Sequence, residues 1–287
     1  MRSGPVTLPF VMSSASEPQT RGSRRAHAAR THGADPSWAT SRPRPLVAVG
    51  VVATGLALAG AAASGERLLE VLVIVVAGLV VAVGWPRLVG SPTPVGSSLV
   101  LAFSTLTLGA ALLARDTEPF LDQAPAAVAA GVIAMCLHPL VQASARTDLA
   151  RGLAGTALGV VLIACGGVFA SAVTDGTSPT VVAGIALAVA ALADLVTERP
   201  RSSAWMLPVG MVVGGAVGLL VHRLLSDDLA AWAALVGVIG AGAALSLRRA
   251  TSTQPAIDTV PGGIAAGVAS VLLVGPLLHL VSRLPIS

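Results

Sequence analysis

The chain has 287 residues, 54% hydrophobic and 11% charged, with a formal net charge of +4. Charged residues make up about a quarter of a soluble domain, so this composition excludes a soluble globular protein and places the chain in the membrane class. The basic balance does not point to nucleic acid, because every Lys/Arg position is an arginine at the end of an apolar run or in the N-terminal tail, with no basic face interleaved with aromatics.

Residues 1–44 are polar and irregular and carry seven arginines, among them Arg21, Arg24, Arg25 and Arg30. Such a segment buries no core and reads as a disordered basic cytoplasmic tail. No apolar stretch of signal-peptide length follows the first charge, so a signal peptide is not expected. The tail reads as a topology signal, or as the product of a start codon upstream of Met12; tethering to anionic lipid is the functional alternative.

Nine apolar runs follow, near 46–63, 69–85, 97–114, 124–141, 153–173, 180–197, 204–221, 229–247 and 260–280. A helix rising 1.5 Å per residue needs about 20 residues to cross a hydrocarbon core of ~30 Å, which is the length of these runs. They are continuously apolar and do not alternate, so helices are expected rather than barrel strands. The expected fold is an all-α polytopic integral membrane helix bundle over 45–287, with a multi-pass place in a bacterial plasma membrane.

Orientation follows from the arginines. With a cytoplasmic N-terminus, the inner segments hold the tail arginines together with Arg87, Arg146, Arg151, Arg199, Arg201, Arg248 and Arg249. The outer segments hold Arg67, Arg115, Arg223 and Arg283, never more than one to a loop. Acidic residues gather in the outer loops at Asp116, Glu118, Asp122, Asp227 and Asp228. Residues 95–173 and 208–282 share a plan of run, acidic loop, run, polar loop, run, which would make them parallel repeats.

Glycines recur at helical spacing. Gly210, Gly214 and Gly218 form a GxxxGxxxG face on the seventh run, with shorter versions at Gly155/Gly159 and Gly263/Gly267. Small faces let helices approach closely in lipid, so they mark either packing within the chain or an interface with a second copy or another membrane protein. No charge lies at the centre of any run, and Glu70 and Asp194 fall near run ends. That lowers the expectation of an ion-coupling carboxylate. Ser104 and Thr107 share a face of the third run, and His138 precedes Pro139 near the inner end of the fourth. These three residues are the candidate solute path, the competing reading being hydroxyls bonded to their own helix carbonyls. His279 lies near the outer end of the ninth run and is not expected to share a site with His138.

Cys136 and Cys165 lie inside apolar runs without metal-ligand spacing. No HExxH, GxSxG or Walker lysine occurs, so no catalytic, cofactor or metal residues are assigned and an enzyme is not expected.

The stretch Gly84–Ser98, GWPRLVGSPTPVGSS, is the segment most like a motif. Its prolines and glycines predict a structured turn at the membrane surface, with Trp85 as an interfacial belt residue. The run Trp85-Pro86-Arg87-Leu88, then Gly90, Pro92, Pro94 and Gly96 leading into Ser97–Leu101, resembles a turn in multi-pass membrane proteins of actinobacteria, some with generic permease labels. The arginine-only, lysine-free composition fits that source. The resemblance implies no site and no substrate. Two functions remain: a permease-like protein moving a small, weakly polar solute, and a non-transporting membrane subunit scaffolding an envelope or secretion complex. The first predicts a polar cavity near the bilayer midplane, and the second an exposed small-residue face on the seventh run.

Overall fold

A computed structural model of the protein describes residues 44–114, 121–141, 148–171, 178–196, 205–226 and 230–283. Most of the basic tail, Arg115, Asp116, Glu118, Arg146, Arg199, Arg201, Asp227 and Asp228 lie outside the described residues. The described chain is helical: α1 Pro45–Ser64, α2 Arg67–Leu88, α3 Pro94–Leu113, α4 Ala124–Val141, α5 Leu149–Gly167, α6 Pro179–Val196, α7 Met206–Ser226, α8 Ala231–Thr251, α9 Val260–Leu272 and α10 Gly275–Ser282. Short 3-10 turns follow α5 (Val168–Ser171) and precede α9 (Pro255–Asp258). Eight stretches are long and apolar enough to cross a membrane, α9 and α10 counting together as Val260–Val281, and the apolar part of α6 is shorter. This is a multi-pass membrane helix bundle, as the runs indicated.

The helix ends follow from local chemistry. Pro45 and Pro94 open α1 and α3, where a missing N–H costs nothing. Gly65 closes α1 at φ +70, with its N–H on the Ala62 carbonyl. Thr259 caps α9 by accepting from the Gly262 N–H at 3.3 Å. α2 departs from expectation. It runs through Pro86 to Leu88, so Trp85 and Pro86 lie in its last turn and not in a surface turn. Trp85 is 1% exposed and therefore is no belt residue at the interface. The turn beyond it closes with the Ser91 N–H on the Pro86 carbonyl at 2.8 Å and Gly90 at φ +67.

Contacts between helix ends fix the number of crossings. Arg44, before α1, donates from Nη2 to the Ser252 carbonyl after α8 at 2.7 Å. The end of α2 meets the start of α5, since Trp85 Nε1 donates to the Gly155 carbonyl. His138, near the end of α4, meets Thr93 before α3. These ends share one side of the bundle. On the opposite side, Arg67 donates to the Leu112 carbonyl at the end of α3, and Ser171 after α5 lies 3.2 Å from His279 of α10. α6 runs antiparallel to α1, with Gly184 packed on both Gly55 and Ala59. α7 runs antiparallel to α8, pairing Gly210 with Leu245 and Gly218 with Ala233. The alternation has α6 run the length of the bundle as well, so nine stretches of the described chain run from end to end, eight of them long and apolar enough to cross a membrane. α6 is shorter but shielded. Val182, Ala183, Ala186, Leu187, Ala190 and Ala191 are at most 1% exposed, packed among α1, α7 and α8. A helix covered by protein need not match the thickness of the lipid.

The centre of the bundle is α9. Of its span, 67% is buried, against 17% for α4. It packs on α1, α2, α5 and α8. Glycines make this approach close. Gly267 lies on the Val47 carbonyl and on Gly50 of α1, and Gly84 of α2 lies on the Pro261 carbonyl. α3, α4 and α5 pack mutually as a peripheral triad on the α2 side. The matching segment 208–282 is arranged differently, because its last helix is this central one. The large apolar side chains left exposed, such as Leu99, Leu140, Val212 and Leu224, lie on outward faces where lipid would meet them.

Candidate functional site

The stretch Gly84–Ser98 organises one end of the α3–α4–α5 triad. After the Gly90 turn, Ser91, Thr93 and Ser97 turn their hydroxyls towards α4 and α5. Ser91 Oγ and Ser97 Oγ are 2.9 Å apart. Thr156 Oγ1 of α5 donates to the Gly152 carbonyl at 2.9 Å and lies 3.2 Å from Ser97 Oγ. Thr93 Oγ1 is 3.2 Å from His138 Nε2. Thr93, Ser97, His138 and Thr156 border a cleft of about 20 Å³ whose apolar walls include Pro92, Met135, Pro139 and Leu153. A volume of that size holds about one water. None of the residues lining the cleft carries a carboxylate or a permanent cation. Hydroxyls both donate and accept, and the imidazole adds two ring nitrogens, so the lining suits a small, weakly polar ligand.

The packing explains why these residue types stand here. The His138 ring covers Gly96 so closely that any Cβ there would overlap it. Arg151 lies over Gly90, which needs its positive φ for the turn. Gly155 and Gly159 of α5 admit Val89 of the turn and Leu101 and Trp85 respectively. Turn, α3 and α5 therefore form one packed unit, with α4 attached through His138 and Gly131.

The three residues of the expected solute path are not brought together. His138 is level with Gly96, so Ser104 is eight residues further along α3, ~12 Å away along the axis. Ser104 is buried and donates to the Val100 carbonyl at 2.9 Å, and it sits against Gly131 of α4. Thr107 donates to the Phe103 carbonyl at 3.0 Å and lies 3.1 Å from the Ser104 carbonyl. Both hydroxyls are satisfied by their own helix. Of the three, His138 borders the cleft. The cleft lies at the end of the bundle, so it is not the midplane cavity expected of a permease. Sequence reasoning missed Ser91, Thr93 and Thr156. Ser91 and Thr93 were in view, between Gly90 and Gly96, and the signal was a hydroxyl at alternate positions of a proline-rich turn.

The Gly210, Gly214 and Gly218 face is occupied within the chain. A Cβ at Gly214 would lie 2.7 Å from Ala241 Cβ and closer still to the Gly237 carbonyl, and Gly218 and Gly210 meet Ala233 and Leu245. The exposed small-residue face expected of a scaffold is therefore covered by α8. Gly263 and Gly267 are likewise used inside the bundle.

Glu70 is more deeply placed than its position near a run end indicated, and His222 is buried as well. Glu70 is 5% exposed in the first turns of α2. His222 is 5% exposed in α7, edge-on to Trp232 at 4.9 Å between ring centroids.

Compared with known proteins, the chain matches no family model, no curated protein and no solved structure.

Proposed function

We propose that this multi-pass membrane protein is permease-like and handles a small, weakly polar, uncharged solute, with the α3–α4–α5 cleft as its binding end. One observation carries the reading. Hydroxyls from the turn, α3 and α5 converge with an imidazole from α4 on a cleft lined by no carboxylate, lysine or arginine. α4 is the helix least held by its neighbours, and Pro139 interrupts its hydrogen-bond ladder beside His138. Movement of α4 would open the cleft along α3, past Ser104 and Thr107. The arginine-rich side, where the cleft lies, faces the cytoplasm of a bacterial plasma membrane in this reading.

The alternative is a non-transporting membrane subunit that scaffolds an envelope or secretion complex. The observation favouring it is the glycine-packed α9 axis, whose polar side chain Ser270 is buried and donates to the Gly267 carbonyl of its own helix.

Proteoliposomes holding the full chain separate the two. Permeation of small polyols and amides above protein-free vesicles, lowered by Ser97→Val and by His138→Phe, supports the permease. Permeation equal to that of empty vesicles for the whole solute panel, with a stoichiometric second polypeptide in native mass spectra of gently extracted protein, supports the scaffold.

A further inference from the structure

We propose that Glu70 is a proton-binding site, a carboxyl that exchanges a proton with the side of the membrane where α2 begins. The proposal is independent of whether the protein transports a solute.

Glu70 lies on the inward face of α2, in line with the buried Ile74, Ala77, Val81 and Trp85. At 5% exposure it is a buried carboxylate within the helix. Its nearby cation is directed elsewhere. Arg67, one turn earlier, donates from its guanidinium to the Leu112 carbonyl and closes the end of α3. No ion pair joins Arg67 to Glu70, and the Glu70 carboxyl has no hydrogen-bond donor among the described residues. The charge of Arg67 acts on it only through space.

The surrounding helices offer nothing else. α1, α3 and α9, all packed on α2, contain no titratable side chain. α5, also packed on α2, carries Cys165 towards the same side and Arg151 at the opposite end. The turn Val168–Ser171 has none, and Asp258 of Pro255–Asp258 lies at the far end of α2. On the approach to α2, Glu66 is exposed. A carboxylate packed among apolar helices without a hydrogen-bond donor carries a desolvation cost, which a bound proton removes. Its place three residues into the helix gives the proton a short route to water.

The test uses the full chain in membranes. Dicyclohexylcarbodiimide enters lipid and reacts with neutral carboxyls. The acid O–H adds across one C=N bond, the proton goes to nitrogen, and the O-acylisourea rearranges to a stable N-acylurea with no leaving group. Peptide mass mapping should find Glu70 modified and Glu66 unmodified, with labelling that falls about tenfold per pH unit above its midpoint. Glu70→Gln should remove the label while keeping the protein in the membrane. The infrared spectrum gives an answer that needs no reagent access. The wild type should show a protonated-carboxyl stretch that Glu70→Gln lacks and that disappears as pH rises. Absence of that band across the range in which buried carboxyls titrate, up to about pH 9, overturns the proposal. Protection from labelling by sodium at constant pH also overturns it, since the site would then take a metal cation.

Discussion

The indole Nε1 of Trp85 donates to the main-chain carbonyl of Gly155 at 3.0 Å, joining the last turn of α2 to α5. The ring is fully enclosed, with Gly159 making room for it one turn further along α5. It therefore fills volume and also satisfies a buried polar group. Trp85→Phe removes only the bond and should lower stability by about 1 kcal/mol. Trp85→Ala also leaves a cavity and should cost about 3–5 kcal/mol. Unfolding in mixed micelles with increasing SDS checks both values. Equal losses from the two changes would show that the hydrogen bond, not the packing, carries the contact.

His138 and Gly96 are coupled by contact, and the coupling can be measured. Gly96→Ala places a methyl group inside the space of the imidazole ring. The helix must then shift or the ring must leave Thr93, at about 1–3 kcal/mol. In a His138→Ala background the obstruction is gone, and Gly96→Ala should be close to neutral. A double-mutant cycle on unfolding free energies should return a coupling of about 1–3 kcal/mol. Additive effects would place the ring away from α3.

Gly214→Leu tests the α7–α8 hairpin. The side chain would run into the Gly237 carbonyl and Ala241. Separation of α7 from α8 should follow, with loss of folded protein on gel filtration. A well-folded Gly214→Leu protein would mean that α8 does not cover this face.

The crossing pattern is open to cysteine labelling. With Cys136 and Cys165 replaced by alanine, Ser64→Cys should react with an impermeant maleimide from one side of the membrane, and Thr253→Cys from the other. Both positions are exposed, at the ends of α1 and α8. Labelling of both from the same side is incompatible with an odd number of crossings between α1 and the loop after α8, as counted here.

The length and continuity of the apolar runs were enough to read nine helices from the sequence. Lipid is as apolar as a protein interior, so a span must be hydrophobic on every face, and its pattern does not say which face meets protein. That is why Val260–Leu272 looked like any other run although it is the axis of the bundle. Gly210, Gly214 and Gly218 were legible as a packing face, but their partner was not, because the spacing of small residues carries no address. Ser104 and Thr107 looked like a polar path because they share a helix face, whereas each hydroxyl is within reach of a carbonyl of its own helix. Trp85 was placed at the interface because Pro86 reads as a helix stop. Proline takes away only the N–H that would reach the carbonyl one turn back, and here α2 runs on to Leu88 and closes with the Ser91 N–H on the Pro86 carbonyl. Glu70 was discounted for lying near a run end, but three residues of depth are enough when α1 and α3 stand beside it.

The central place of α9 bears on how the protein is made. Chains enter the bilayer in order of synthesis. α1 to α8 are therefore laid down before the helix they surround. Until α9 arrives, Gly50 and Gly84 face a vacant slot, and Arg44 can reach Ser252 but has no Asp258 beside it. The early helices must hold that slot open against lipid, or be held apart by another factor, and the final span must slip between neighbours already in place. Completion of the bundle is thus a late insertion step, and a ribosome stalled after Thr251 would leave a membrane intermediate without its core.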